Sequence, residues 1–196
     1  EEIIRNHFID SFKCYACFQY THGMKVADIG SGAGFPGIPV KIVYPEIELS
    51  LIEVSKKKTI FLEHICSTLG LRNVKILNNR AEILGKQGDL RESFQLVLSR
   101  AFAPLGILLE LTAPFISLGG QAVLHRGELK EKEEYVEGLL KALGVVIEKI
   151  ETYTLGPKER NRTIWVVKKI SHTPAEYPRT YKKISSGGFP RFTSGL

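Results

Sequence analysis

DIGSGAGFPG, the stretch from Asp28 to Gly37, contains two overlapping glycine patterns, each typical of a different nucleoside-binding fold. Gly32, Gly34 and Gly37 satisfy G-x-G-x-x-G, which is typical of dinucleotide binding. Asp28, Gly30, Gly32 and Gly34 satisfy D-x-G-x-G-x-G, the pattern associated with S-adenosylmethionine. The apolar run KVADI precedes the glycines, as a buried strand entering a turn should. The stretch therefore predicts a strand-to-helix turn whose bare backbone holds a nucleoside cofactor.

Strand and helix patterns alternate through the rest of the chain. Predicted helices are IPVKIVYP, KKKTIFLEHICSTLGL, KEKEEYVEGLLKALG and LGILLELTAPFISLGG, the last as one helix ending at the double glycine. The last two strands are joined only by GPKERN, so they must pair antiparallel. The pattern predicts a doubly wound α/β fold. Its mixed sheet has seven strands and ends in an antiparallel hairpin: KVADIG, IELSLIEV, NVKILNN, FQLVLSRA, QAVLHRG, VVIEKIETYTL and RTIWVVKKI.

Three segments are expected along the chain. Residues 1–22 carry apolar side chains every three or four positions up to about Tyr20, which predicts an N-terminal helical segment. Residues 23–170 hold the alternating pattern and form the predicted catalytic domain. Residues 171–196 show no sustained periodicity and are expected to be a basic tail, irregular or ordered by a partner.

Positive charge is concentrated at the C-terminal end. The net charge of the chain is +6, yet residues 157–196 alone carry +7, from nine basic and two acidic residues. A localised basic region favours a polyanionic partner such as RNA or DNA. The alternative is a solvated basic tail without a partner.

Composition excludes several other classes of protein. The apolar content of 43% supports a folded core, and no run of about 18 apolar residues or secretory signal is present. A soluble, cytoplasmic protein without membrane contact is expected. Cys14, Cys17 and Cys66 are too few for a disulfide framework, and the C-x-x-C pair lacks further ligands. We therefore expect buried structural thiols and no metal site.

Glu53 ends the second predicted strand, 21 positions after Gly32. A carboxylate there can accept hydrogen bonds from ribose hydroxyls, which both cofactor hypotheses require. Its structural alternative is a carboxylate that caps the helix beginning near Ser55.

Three features favour S-adenosylmethionine over a nicotinamide cofactor. The Asp28 carboxylate would repel a pyrophosphate. Pro36 marks a helix start beside Gly37, so the third glycine of the dinucleotide pattern has another explanation. The sheet also ends in a hairpin without helices, whereas the dinucleotide fold continues with a second βαβ half. The class I fold of S-adenosylmethionine-dependent methyltransferases is therefore predicted, with a nicotinamide-dependent oxidoreductase as the alternative.

Two motifs that are absent after the fourth and fifth predicted strands exclude two classes of methyl acceptor. Methylation of a cytosine carbon needs a cysteine nucleophile, which neither SRAFAP nor LHRG contains. The Asn/Asp-Pro-Pro-aromatic motif of exocyclic amino methyltransferases is also missing from SRAFAP. A ring nitrogen with a free lone pair, such as N7 of guanine, needs neither group, so no catalytic general base is expected.

Five stretches occur in the order of a known family: NHFIDSF, DIGSGAGFPGIP, NNRAE, SRAFAPL and the late YPR. Together they resemble the bacterial 16S ribosomal RNA 7-methylguanosine methyltransferases, the glucose-inhibited division protein B family. The resemblance implies S-adenosylmethionine as cofactor and a guanine of 16S ribosomal RNA, free or in the small subunit, as acceptor. A monomer is expected. A non-catalytic RNA-binding protein with a vestigial pocket stays as a further alternative.

The resemblance also implies site residues. With the glycine loop and Glu53, the expected cofactor-binding residues are Gly30, Gly32, Phe35, Glu53, Ala81, Glu82 and Arg100. The residues expected to contact RNA follow instead from their positive charge: Arg179, Lys182 and Lys183 belong to the basic C-terminal region, and Arg126 lies near the end of the fifth predicted strand. Structural alternatives are a core position for Phe35, a helix-start charge for Glu82 and a surface ion pair for Arg100.

Two departures from the family pattern stand out. The family usually has a helical segment upstream of EEIIRNHF, so the N-terminal segment is expected to be truncated. Arg126 stands where the family commonly has lysine, which keeps the charge and changes the shape.

Overall fold

Residues 4–100, 103–126, 133–155 and 161–186 are described by the structure, a computed structural model. Seven strands form one sheet in the order β3-β2-β1-β4-β5-β7-β6. The strands are β1 Lys25–Ile29, β2 Glu48–Ile52, β3 Val74–Leu77, β4 Phe94–Arg100, β5 Ile116–Arg126, β6 Val145–Tyr153 and β7 Arg162–Lys169. The helices are α1 Asp10–Phe12, α2 Gly37–Val43, α3 Lys56–Thr68, α4 Ala81–Leu84, α5 Leu105–Thr112, α6 Glu133–Leu143 and α7 Tyr181–Ser185.

The sheet is wound outward in both directions from β1. β1 pairs in parallel with β2 on one side and with β4 on the other. β7 is antiparallel to both β5 and β6, so the sheet ends in the predicted hairpin. In a sheet of this kind ligands bind at the carboxyl ends of the strands, where the strand order reverses. That point lies just after β1, at the glycine loop.

Two apolar layers cover the sheet. On one face α5, α6 and the turn at residues 113–115 pack on the strands, with Leu108, Phe115 and Leu139 in the core. The other face is covered by the N-terminal segment, α2 and α3, which contribute residues that include Cys14, Val40 and Leu62. None of the helices in the described ranges is long and apolar enough to cross a bilayer.

The predicted helix over LGILLELTAPFISLGG is wrong in its second half. α5 ends at Thr112, a 3₁₀ turn containing Pro114 follows, and β5 already begins at Ile116. Between the pairings of Ile116 and Gln121 with β4 the register shifts, and Gly119 takes a positive φ of 78° in this irregular part. The double glycine therefore belongs to a bulge inside a strand and does not end a helix.

The N-terminal segment is helical in three short pieces. A π turn at Ile4–Ile9, α1, and a 3₁₀ turn at Lys13–Cys17 replace the single helix expected to about Tyr20. All three cysteines are free and buried, as predicted for structural thiols. Burial raises the pKa of Cys17 to about 11, which leaves the thiol protonated and unreactive at neutral pH.

Residues 171–180 have no regular secondary structure, as expected, but residues 171–186 differ from the expected tail because they pack on the domain. The guanidinium of Arg91 donates hydrogen bonds of 2.6–3.1 Å to four backbone carbonyls, those of Gly85, Thr173, Pro174 and Tyr177. Ile184 of α7 is fully buried. Long-range hydrogen bonds therefore supply the order that periodicity does not reveal. The last ten residues of the expected tail lie outside the described part of the chain.

Candidate cofactor-binding site

The loop after β1 is held against the end of β2 by its own backbone. The N–H groups of Gly30 and Ser31 both donate to the carbonyl of Ile52, at 2.9 and 3.1 Å. Gly30, Gly32 and Gly34 have φ values of 73°, 59° and 93°, a region that residues with a Cβ rarely adopt. The loop therefore turns tightly and offers bare backbone to a ligand.

Asp28 closes this turn from beneath. Its side chain is fully buried, and its Oδ2 accepts the N–H of Gly37 at 3.0 Å, while Oδ1 has no partner within the described residues. A Cβ on Gly37 would lie 2.7 Å from Oδ2 of Asp28, so only glycine allows this approach. Gly37 is thus required by the close approach of the Asp28 carboxylate. Burial raises the pKa of Asp28 to about 7.

Glu53 connects the end of β2 with the glycine loop. Its Oε2 accepts the N–H of Gly32 at 2.9 Å, and its Oε1 accepts the N–H of Ser55, just before α3, at 2.8 Å. The side-chain amide of Asn78 donates to the carbonyls of Glu53 and Val54 at 3.0 Å each, which fixes this turn. The carboxylate is ordered by the backbone and keeps lone pairs for further donors. The helix-capping alternative and a ribose-binding role are therefore compatible.

The NNRAE stretch leads from β3 into α4. Oδ1 of Asn79 accepts the N–H of Arg80 at 2.8 Å, and α4 starts at Ala81. N–H groups in a first helical turn have no partner within the helix, so Ala81 can donate to an acceptor outside it. Glu82 forms an ion pair of 3.5 Å with the more exposed Arg80. Its alternative as a helix-start charge is thus also compatible with the structure.

A cleft of about 400 Å³ opens at the carboxyl ends of β1 and β2. It collects four of the expected cofactor residues: Gly30, Glu53, Ala81 and Glu82. Apolar side chains and polar groups share the rest of its wall, as is usual in small-molecule sites. These other lining residues are Ile29, Ile52, Val54, Lys58, Asn79, Arg80, Leu111 and Tyr181.

Phe35 and Arg100 lie together beside the N-terminal segment. The guanidinium carbon of Arg100 lies 5.2 Å from the centre of the Phe35 ring, within cation–π range. The rings of His7 and Phe8 lie 5.2 and 5.0 Å from that ring. Nη2 of Arg100 lies 2.9 Å from Nδ1 of His7, and its Nη1 lies 3.4 Å from Oδ2 of Asp10. These two expected site residues are therefore anchored by the N-terminal segment, outside the cleft wall.

A neutral histidine adjoins this group. His125 of β5 is paired in register with Arg100 of β4 and is buried. Burial lowers its pKa to about 4, and the positive charges of Arg100 and Arg162 act in the same direction, so it stays uncharged at neutral pH. No cluster of three or more potential metal ligands occurs in the ranges that the structure covers.

The residues expected to contact RNA fall into two groups. Lys182 and Lys183 lie exposed on α7, next to the cleft residue Tyr181. Arg179, in contrast, binds Glu110 through its backbone N–H and its guanidinium, with an Nη2 to Oε2 distance of 2.6 Å. Its guanidinium thus has a structural partner. Arg126 is half-buried at the end of β5.

Sequence reasoning missed three residues near the site. Tyr181 lines the cleft from α7, and His7 and Asp10 hold Arg100. NHFIDSF pointed to the latter two only as part of a family motif. No periodic signal indicated that a tyrosine far along the chain reaches the ends of β1 and β2.

Comparison with known proteins agrees with this geometry. A family model described as GidB, rRNA small subunit methyltransferase G, matches residues 1–162. Ribosomal RNA small subunit methyltransferase G of Caldanaerobacter subterraneus subsp. tengcongensis is 41% identical over 184 residues, covering 94% of this chain and 77% of that protein. Its namesake from Carboxydothermus hydrogenoformans is 39% identical over 180 residues, covering 91% and 76%. A solved SAM dependent methyltransferase from Aquifex aeolicus superposes with a TM-score of 0.63 at 16% identity, covering 85% of this chain and 92% of that one.

The strand order and the glycine loop after β1 define the class I fold of S-adenosylmethionine-dependent methyltransferases. This confirms the predicted fold and the choice of S-adenosylmethionine over a nicotinamide cofactor. Within that class, the chain belongs to the GidB family, rRNA small subunit methyltransferase G. The resemblance drawn from the five sequence stretches is therefore confirmed, while the roles of individual site residues stay predictions.

Proposed function

We propose that this chain transfers the methyl group of S-adenosylmethionine to N7 of a guanine in 16S ribosomal RNA, in the cytoplasm. The observation that carries the proposal is the cleft, in which a glycine-loop backbone faces an ordered carboxylate in a chain of the GidB family. The chain is proposed to act as a monomer on the RNA or on the small ribosomal subunit.

The residues present fit this cofactor. S-adenosylmethionine, when bound, supplies an electrophilic methyl group on a sulfonium. Glu53 would accept hydrogen bonds from the ribose hydroxyls, since its oxygens are already fixed by the N–H groups of Gly32 and Ser55. Ala81 would offer its N–H to the adenine, and Gly30 leaves room for the ligand against the backbone.

Two further expected contacts, Phe35 and Arg100, lie together beside the N-terminal segment. Arg100 is held over the Phe35 ring by His7 and Asp10, so its guanidinium is oriented before any ligand arrives. It would meet either the carboxylate of the cofactor or a phosphate of the RNA, both of which suit a planar guanidinium. Phe35 would provide an apolar surface next to the reacting groups.

The chain needs little acid–base chemistry for this reaction. N7 of guanine carries a free lone pair, so no side chain has to remove a proton before the methyl group moves. The contribution of the protein is then to orient the two reactants in line and to exclude water between them. His125, the buried histidine nearest to Arg100 in the sheet register, is neutral and is not assigned a catalytic role.

RNA would be attracted mainly by charge. Lys182 and Lys183 lie exposed on α7, directly after the cleft residue Tyr181, and would contact phosphates of a bound RNA. Phosphate contacts position a nucleic acid without selecting a base. The guanine would therefore be selected by residues in and around the cleft.

Calorimetric titration provides the first test. S-adenosylhomocysteine is expected to give binding heat, and NAD(P) is expected to give none. The reverse result would support an oxidoreductase and contradict the proposal. RNA binding without any binding of S-adenosylhomocysteine would instead indicate a non-catalytic protein.

Methyl transfer provides the second test. Small subunits and naked 16S ribosomal RNA from a strain without this modification are incubated with protein and labelled S-adenosylmethionine. Nucleoside mass spectrometry is expected to find 7-methylguanosine in at least one of the two. Transcripts made with 7-deazaguanosine serve as the matched control, because a carbon replaces the accepting nitrogen. Label in the deaza transcript, or methyl at another atom, would contradict the proposal.

A further inference from the structure

Tyr181, the first residue of α7, lies in the cofactor cleft. Its side chain lines the cleft together with Gly30, Glu53 and Ala81, although it is far from these residues in sequence. The residue is 39% exposed, so part of the ring is available to a ligand. Neither the glycine pattern nor the family stretches assign a role to this tyrosine.

Helix α7 is fixed by its apolar side. Ile184 is fully buried in a small cluster with Ile107 and Leu111 of α5, and Ala81 and Ala103 pack against the same cluster. Leu111 also lines the cleft. The helix therefore bridges the first turn of α4 and the segment after β4, and it cannot turn without disturbing both.

A buried ion pair sets the start of α7. The Glu110 carboxylate, which is fully buried, accepts the backbone N–H of Arg179 at 2.8 Å and its Nε–H at 2.8 Å. Nη2 of Arg179 lies 2.6 Å from the second oxygen. Because both the backbone and the side chain of Arg179 are bound, the position of Tyr181 two residues later is defined.

The chemistry of the cleft indicates which part of a ligand meets the ring. The Glu53 carboxylate suits ribose hydroxyls, and the first turn of α4 suits a ring nitrogen of the base. Tyr181 shares the wall with both, so this residue lies at the nucleoside end of the cleft. Aromatic side chains bind flat bases through their faces.

We infer that Tyr181 is an adenosine-binding residue whose ring packs on the cofactor's nucleoside. The inference rests on the proposed function, because it assumes a cofactor with an adenosine group in this cleft. Residues 171–186 then contribute directly to cofactor binding. Lys182 and Lys183 follow on the same helix, so contacts with the cofactor and with RNA phosphates would share one rigid element.

The test uses Tyr181→Ala and Tyr181→Phe in the full chain, with Phe61→Ala as the control. Phe61 is an aromatic residue of α3 with a similar exposure of 45%, and it is not part of the cleft wall. Affinities for S-adenosylhomocysteine and for methylthioadenosine, which lacks the amino-acid group, are measured by calorimetry without RNA. Thermal unfolding without ligand checks that each variant is folded.

Tyr181→Ala is expected to lower the affinity for both ligands equally, by roughly ten-fold, because one base-stacking contact is lost. Tyr181→Phe and Phe61→Ala are expected to bind like the wild type. Unchanged affinity of Tyr181→Ala would overturn the inference. So would a loss confined to S-adenosylhomocysteine, which would place the ring at the amino-acid end, or an equal loss in Tyr181→Phe, which would assign the contact to the hydroxyl.

The two hypotheses fail in different ways. A wild-type protein that binds neither adenosine ligand would contradict the proposed function itself. A wild-type protein that binds both, alongside a Tyr181→Ala variant that binds them equally well, would contradict only the role of Tyr181.

Discussion

Asp10 and Arg100 form an ion pair in which Oδ2 lies 3.4 Å from Nη1, joining the N-terminal segment to the end of β4. Oδ1 of Asp10 also accepts the hydroxyl of Tyr153 at 2.6 Å and lies 3.1 Å from Nη1 of Arg162. One buried carboxylate thus holds two arginines and a tyrosine from three different strands. The arginine expected in the cofactor site is oriented by a residue that precedes the domain core.

Replacement of Asp10 by asparagine should therefore destabilise the protein. The amide keeps the shape but removes the negative charge that faces the two partly buried guanidinium groups of Arg100 and Arg162, at a cost of about 3 kcal/mol in the free energy of unfolding. Chemical denaturation measures this value. The exposed Asp89→Asn is the matched control and should change stability by less than about 0.5 kcal/mol. Equal effects of the two variants would show that the ion pairs contribute little.

Asp28 should make stability depend on pH. Its pKa is about 7 in the folded protein, raised by burial from an ordinary value of 3.8, so the folded state holds a proton that the unfolded chain has released. Stability therefore falls as pH rises from about 4 to about 7, by on the order of 4 kcal/mol over the whole interval. Denaturation of the cofactor-free wild type and of Asp28→Asn at several pH values isolates this effect. A constant difference between the two proteins across that interval would contradict it.

Glu53→Gln should weaken the binding of S-adenosylhomocysteine. The amide has one acceptor oxygen, whereas the carboxylate serves the N–H groups of Gly32 and Ser55 and the expected ribose hydroxyls. The binding free energy is expected to become about 1–3 kcal/mol less favourable, the range for hydrogen bonds to a charged group. Calorimetry measures it, with the exposed Glu63→Gln of α3 as the control. Wild-type affinity in Glu53→Gln would contradict the role of Glu53 in cofactor binding.

Two lysines of α7 should contribute to RNA binding through charge alone. Changing Lys182 and Lys183 together to glutamine should weaken binding of 16S ribosomal RNA and lower the slope of log affinity against log salt by roughly 1–2. Filter binding at several salt concentrations gives the slope. The control is Lys25→Gln with Lys75→Gln, two lysines that line a pocket at the amino ends of the strands. An unchanged slope in the Lys182 and Lys183 variant would mean that these lysines are only solvated.

The three cysteines should be unreactive in the folded protein. Each thiol is free and buried, and burial raises the pKa of all three, to about 11 for Cys17. An aromatic disulfide reagent at pH 8 is expected to modify none of them quickly and all three after unfolding in guanidinium. Rapid modification of Cys14 and Cys17 before unfolding would contradict this prediction and support a redox role for the C-x-x-C pair.

Features set by local chemistry were predictable from the sequence. Asp28 and the glycines after it specify a turn by their backbone requirements, and the short GPKERN connection forces an antiparallel pair. The position of Glu53 at the end of the second strand was predictable because one βα unit has a characteristic length. The end of α5 was misjudged because the residues after Thr112 keep an apolar pattern that suits a helix and a strand equally well.

Features set by distant partners were not predictable in this way. Arg179 was expected to contact RNA because it belongs to a basic region, yet its guanidinium binds a carboxylate 69 positions away. Arg91 and the carbonyls around Thr173 are likewise far apart in sequence. Charge composition gives the number of cations in a segment, but only the folded arrangement determines which of them already have partners.

The position of Tyr181 in the cleft has a consequence for synthesis of the protein. A growing chain that has emerged as far as β7 contains all seven strands, the glycine loop and Glu53. One wall of its cofactor cleft is still missing, because α7 has not yet left the ribosome. On the role inferred for Tyr181, complete cofactor affinity is acquired only after α7 has emerged.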